Sequence, residues 1–129
     1  MEYTTLGRTG WRVSVAGLGC GGPSRLGTAT GKSEQESVVV VRQALELGIN
    51  LLDTAEAYGT ESIVGKTLEG VTRNRVVIAT KKLLPSPEQS DPIGELQRGL
   101  EQSLRRLRTD YVDIYFLHGV RPEQYRYAY

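Results

Sequence analysis

Apolar residues change their spacing along this chain, from runs of neighbours to one residue in every three or four. Ile49–Leu52, Val76–Thr80 and Tyr111–Leu117 are largely apolar, and Val76–Thr80 shows no alternation at all. That pattern predicts strands covered on both faces, as in a parallel sheet. Between them the period becomes helical. Val38, Val41, Ala44 and Leu45 share one face of a segment opened by Ser33 and Glu36, which read as a capping box, and stopped at Gly48. A shorter helix is expected around Ser62–Leu68, ending near Gly70. Ile93, Leu96, Leu100, Ser103 and Leu107 mark a third, with Asp91 as cap, Pro92 at the first helical position and Arg105, Arg106 and Arg108 opposing the negative end of its dipole. Ahead of all this, Glu2–Leu6 and Trp11–Val15 flank the turn residues 7–10 and predict a hairpin. Residues 14–22 then form a short strand running into a Gly-rich loop. The order is a hairpin followed by β-α-β-α-β-α-β, an α/β class.

Polar residues stand where the apolar runs stop. Asp53 follows Ile49–Leu52, Lys81 follows Val76–Thr80, His118 follows Tyr111–Leu117, and Tyr58 lies five residues past Asp53. In a parallel sheet with helical crossovers, the C-terminal strand ends share one face, so these four residues would converge there. Strand alternation agrees with that placement. Leu51 shares a face with Asp53, Val77 and Ala79 share one with Lys81, and Ile114 and Phe116 share one with His118. Each inward set is apolar until its last member.

An acid, a phenol, an amine and an imidazole suit proton delivery to a carbonyl oxygen. Tyr58 is the candidate general acid, and a cation beside a phenol favours the phenolate, which Lys81 could supply. Asp53 would pair with Lys81, and His118 would hydrogen-bond the substrate oxygen. A hydride would have to come from a cofactor, because no side chain supplies one. Singly, Asp53 reads as a turn cap, Tyr58 as a packing residue, Lys81 as a solvated lysine and His118 as a structural histidine. Their joint placement points to chemistry. The stretch GLGCGG lacks the spacing of a dinucleotide fingerprint and reads as a tight turn.

Composition narrows the classes further. The chain has 129 residues, one domain's worth, and its 16 basic against 15 acidic residues present no field for nucleic acid. Apolar residues total 39%, and no run approaches the ~20 needed to span a membrane. The opening MEYTTLGRTG lacks a signal-peptide core, and the single Cys20 suits a reducing compartment, so a cytoplasmic protein is expected. Cys20 reads as a small buried packer.

The motifs GINLLDTAEAYGTESIVGKTLEG, VVIATKK and YVDIYFLHG, with the opening MEYTTLGRTGWRVSVAGLGCGG, resemble those of the aldo-keto reductase family. The resemblance covers nearly all of residues 1–121. It implies a (β/α)8 barrel that reduces aldehydes and ketones with NADPH. It further implies a catalytic tetrad of Asp53, Tyr58, Lys81 and His118 with Tyr58 as proton donor, and Lys81 as the lysine of the adjacent pair. For the cofactor it leaves the first loop, Gly21, Gly22 and Ser24, together with Asp53.

An eight-stranded barrel typically needs ~250 residues. The expected fold is therefore half of a TIM (β/α)8 barrel: about four parallel strands with outer helices and an N-terminal β-hairpin closing the bottom, over residues 1–121. A tyrosine-containing tail, 122–129, follows, in which Tyr125, Tyr127 and Tyr129 alternate like a strand. Two functions compete. One is a reductase of small carbonyl substrates, binding NADPH weakly and with little preference over NADH, whose activity is weak or depends on self-association. The other is a catalytically silent half-barrel that serves as an interaction module. An exposed inner face bearing Leu51, Val77, Ala79, Ile114 and Phe116 predicts a homodimer or higher oligomer.

Overall fold

Tyr3–Thr5 (β1) and Arg12–Ser14 (β2) pair antiparallel, forming the hairpin that the turn residues between them predict. Asn50 fastens this hairpin to the sheet. Its Oδ1 accepts the Ser14 amide at 2.7 Å, its Nδ2 donates to the Arg12 carbonyl at 2.9 Å, and its own amide donates to Ser14 Oγ at 3.1 Å. The hairpin therefore sits at the N-terminal end of the strand that begins at Leu51. The computed structural model describes residues 1–84 and 91–124. The Tyr125–Tyr129 strip lies outside the described residues.

Four strands follow in a parallel sheet: Leu18–Gly19 (β3), Leu51–Asp53 (β4), Val77–Leu83 (β5) and Ile114–His118 (β6), in the order β3-β4-β5-β6. The alternation of strand and helix in sequence thus gives a half-barrel with neighbours adjacent in space. Several strand ends differ from the sequence expectation: β3 is only Leu18–Gly19, and β6 runs Ile114–His118 rather than Tyr111–Leu117. Asp53 belongs to its strand, because it has partners on both sides, Gly19 and Ala79. Strand β5 runs three residues past Thr80, because β6 continues to pair with it as far as Leu83. At the other end Asp113 sets the register: its Oδ2 accepts both the Ile78 amide and Arg73 Nη2, each at 2.8 Å, and its amide donates to the Ile78 carbonyl at 3.1 Å.

Helices Glu34–Glu46 (α1), Glu61–Thr67 (α2) and Pro92–Leu107 (α3) cover one side of the sheet. The capping box of Ser33 and Glu36 is present in full, and Gly48 follows α1 at φ 91°. The Asp91 side chain accepts the Gly94 amide and Pro92 opens α3. The core joins Val38 and Val41 of α1, Ile63, Val64 and Leu68 at α2, Leu107 of α3, and Leu52 and Ile78 of the sheet. Where α2 crosses α3, a Cβ at Gly65 would collide with the backbone of Arg106 and Leu107, so only glycine permits that approach.

Two expectations about faces need correction. Ile93 fits the helical spacing yet is 70% exposed, because α3 buries Gly99, Ser103 and Leu107 instead. On the inner face Phe116 is 46% exposed, but Val77 and Ala79 are buried, since β5 is flanked by strands on both edges. Among the described residues, no helix is long and apolar enough to cross a membrane.

Candidate active site

Register decides where the polar strand ends meet. Asp53 is level with Ala79, Lys81 stands two residues beyond Ala79 and opposite Phe116, and His118 stands two beyond Phe116 and opposite Leu83. Steps of two keep all three on one face while each climbs ~6.6 Å along the strands. The polar groups therefore form a rising diagonal across the mouth. Tyr58 joins them from a single 3-10 turn, Glu56–Tyr58, that follows β4.

Lys81 is the hub. Its Nζ donates to Asp53 Oδ1 at 2.5 Å and to the Thr54 carbonyl at 2.9 Å, and it lies 5.1 Å from the centroid of the Tyr58 ring. The His118 ring meets the Tyr58 ring edge to face, with centroids 5.4 Å apart at 89°. His118 Nδ1 is buried and has no hydrogen-bond partner among the described residues. A buried polar atom left so is costly, by about 1–3 kcal/mol, and invites a polar ligand. The side chain of Lys81 is 15% exposed and that of Asp53 44%, so the carboxylate can hold the ammonium and still reach solvent or a ligand hydroxyl.

The structure thus brings Asp53, Tyr58, Lys81 and His118 together. The loop residues divide. Gly21 lies directly against the Tyr58 ring, and Gly22, at φ 71°, follows it in open space. Ser24 lines a groove of about 620 Å³ with Leu18, Leu26, Val39 and Val40, away from the four. The larger cavity, about 880 Å³, lies beneath the hairpin at the opposite end of the strands and is lined by Trp11, Asn50 and Tyr111. It has no part in this site. Cys20 is buried, and burial above all, then the Asp53 charge, pushes its thiol up to about 12 despite Lys81. It packs beside the site as a neutral group.

A second ionic cluster on the helix side of the sheet escaped the sequence reading. Glu61, 1% exposed, accepts from Thr80 Oγ1 at 2.6 Å and from Arg106 Nε at 2.7 Å. Lys82 Nζ lies 2.6 Å from Glu56 Oε2, with Arg106 Nη2 3.9 Å from the other oxygen of Glu56. The Tyr115 phenol borders this cluster, and burial, then the Glu56 and Glu61 charges, raise its pKa. The alternation of β5 could have flagged Lys82, which must face away from Lys81.

A model of the aldo/keto reductase family matches residues 17–128. The aldo-keto reductase YhdN of Bacillus subtilis is 39% identical over 133 residues, covering 95% of this chain and 39% of that protein. Among solved structures, the thermostable aldo-keto reductase Tm1743, in complex with the inhibitor epalrestat, aligns with a TM-score of 0.78 at 36% identity, over 95% of this chain and 44% of that one. An aldo-keto reductase from Bombyx mori in complex with NADP aligns with a TM-score of 0.71 at 26% identity, over 95% of this chain and 40% of that one. The chain spans about two fifths of the length of the curated relatives it matches.

Proposed function

The chain belongs to the aldo/keto reductase family, and from that premise we propose that Asp53, Tyr58, Lys81 and His118 are its catalytic tetrad for reducing a small aldehyde or ketone to an alcohol. The observation that carries the reading is the placement of the Lys81 ammonium between Asp53 Oδ1 and the Tyr58 ring, with His118 against that same ring. NADPH is the proposed reductant. When bound, it would supply the hydride that no side chain can. The residues present fit its nicotinamide end: Asp53 offers a half-exposed carboxylate to a ribose hydroxyl, and Gly21 and Gly22 leave the loop beside Tyr58 bare of side chains.

Each residue then has a task at a stated atom. Tyr58 Oη gives its proton to the carbonyl oxygen as negative charge grows there. The Lys81 ammonium steadies the phenolate left behind, and Asp53 Oδ1 keeps that ammonium from swinging away. An imidazole nitrogen of His118 donates to the substrate oxygen and fixes its approach to the phenol. The outer edge of β6, unpaired among the described residues, and the exposed Phe116 and Leu117 of β6 and Leu83 of β5 support the further reading that copies of the chain associate, and that turnover is weak without association.

The test is NADPH oxidation with an aromatic aldehyde, comparing the chain with Tyr58→Phe. Loss of the general acid is expected to lower turnover by about 10²–10⁴-fold while the fold persists. Equal turnover in the two proteins overturns the assignment of Tyr58.

A further inference from the structure

Lys81 and Lys82 are neighbours, and the pleat of β5 sends them to opposite sides of the sheet. Both nevertheless reach one short turn. Lys81 approaches the Tyr58 ring from the site, while Lys82 pairs with Glu56, the first residue of the turn whose third residue is Tyr58. The Lys82–Glu56 pair is partly buried, with side chains 21% and 26% exposed, so water screens it less than a surface pair. The Lys82 stem runs across α3 at Gly99, where an added Cβ would lie 2.9 Å from Lys82 Cδ. The absence of a side chain at Gly99 leaves the groove in which this stem lies. The turn itself has few other anchors: Arg106 Nη2 lies 3.9 Å from Glu56 Oε1, Tyr58 N donates to the Ala55 carbonyl at 3.1 Å, Gly59 N to the Glu56 carbonyl at 3.2 Å, and the Thr54 and Thr60 hydroxyls meet at 3.1 Å across its base.

We propose that Glu56 and Lys82 are positioning residues that hold the Tyr58 phenol at the site by gripping its turn from the side opposite Lys81. This rests on the reading of Tyr58 as proton donor. A turn of three residues transmits the position of its first side chain to its third, because only the intervening Ala57 separates them. Releasing Glu56 lets the turn roll, and the ring leaves both Gly21 and His118.

The experiment uses the full chain and two readouts. The first is NMR cross-relaxation from the Tyr58 ring to the His118 ring and to the Gly21 α-protons, which needs no cofactor. Lys82→Met keeps the stem in its groove but removes the charge, and is expected to weaken both signals several-fold. Lys82→Arg restores the pair and is expected to retain them, and Glu56→Ala to behave as Lys82→Met. Amide shifts of α1 stay fixed in every variant. The second readout is turnover, with kcat falling about 10–100-fold in Lys82→Met at unchanged KM for the aldehyde. Intact ring contacts in Lys82→Met overturn the proposal. So does their equal loss in Lys82→Arg, which assigns the effect to packing. If Tyr58→Phe leaves turnover unchanged, the proton-donor reading falls, and the cross-relaxation still decides whether Glu56 and Lys82 position the ring.

Discussion

Tyr58 lies so close to Gly21 that a Cβ at residue 21 would sit 2.6 Å from Tyr58 Cε2 and 2.7 Å from Cζ. No real side chain tolerates that contact, so Gly21→Ala must displace the phenol, the loop or both. A shift of about 1 Å is enough to cost on the order of 10²-fold in rate. We expect aldehyde reduction by Gly21→Ala to fall by that order, with a stability loss of about 1–3 kcal/mol. Turnover within about twofold of the unaltered chain would mean that the ring position does not matter.

Cys20 makes stability fall at alkaline pH. Burial raises its thiol from 9.0 to about 12, so the unfolded chain loses this proton first. The contribution of the neutral thiol is full below pH 9 and is lost as pH climbs toward the folded value, at a rate of at most about 1.4 kcal/mol per pH unit. Urea unfolding on either side of pH 9 should show a steeper decline for the unaltered chain than for Cys20→Ala. Parallel curves would refute this.

Glu61 is buried, and its carboxylate depends on Arg106 and Thr80 for partners. Arg106→Ala strands that charge and is expected to cost about 3 kcal/mol or more, whereas Glu61→Met combined with Arg106→Met should recover much of the loss. Denaturant midpoints decide the matter. A single-variant cost under about 1 kcal/mol would place the pair among ordinary surface contacts.

We expect self-association through the exposed apolar Phe116 and Leu117 of β6 and Leu83 beside them at the end of β5, where burial is worth roughly 25 cal/mol per Å². Sedimentation equilibrium should give a dimer or larger species, and Phe116→Ser should weaken it. A folded monomer at high micromolar concentration contradicts the expectation.

The elements and the four converging residues were legible because local rules govern them. Caps at Ser33 and Asp91 depend on neighbours within three residues, and the face shared by Lys81, Ala79 and Val77 depends only on the strand period. What stayed hidden depends on contacts distant in sequence. Glu61 looks like one more helix-surface carboxylate until α3 folds back and delivers Arg106, 45 residues away. Ile93 has the right spacing for burial, but α3 is rotated so that Gly99 meets the sheet-borne Lys82 stem. The stagger that sets His118 opposite Leu83 is likewise a matter of inter-strand register, which no single strand encodes.

That register has a fixed origin in Asp113, which is tied to the backbone of Ile78 and to Arg73 five residues before His118. The imidazole is therefore addressed by counting from a datum. Deleting one residue between them would turn His118 toward the helices and leave a different side chain at the mouth. Inserting two would return it to the correct face but carry it ~6.6 Å past the phenol. Substitutions along 114–117 can vary in chemistry without moving the histidine, whereas any change in their number dismantles the site. For this stretch, length is the quantity that the geometry fixes.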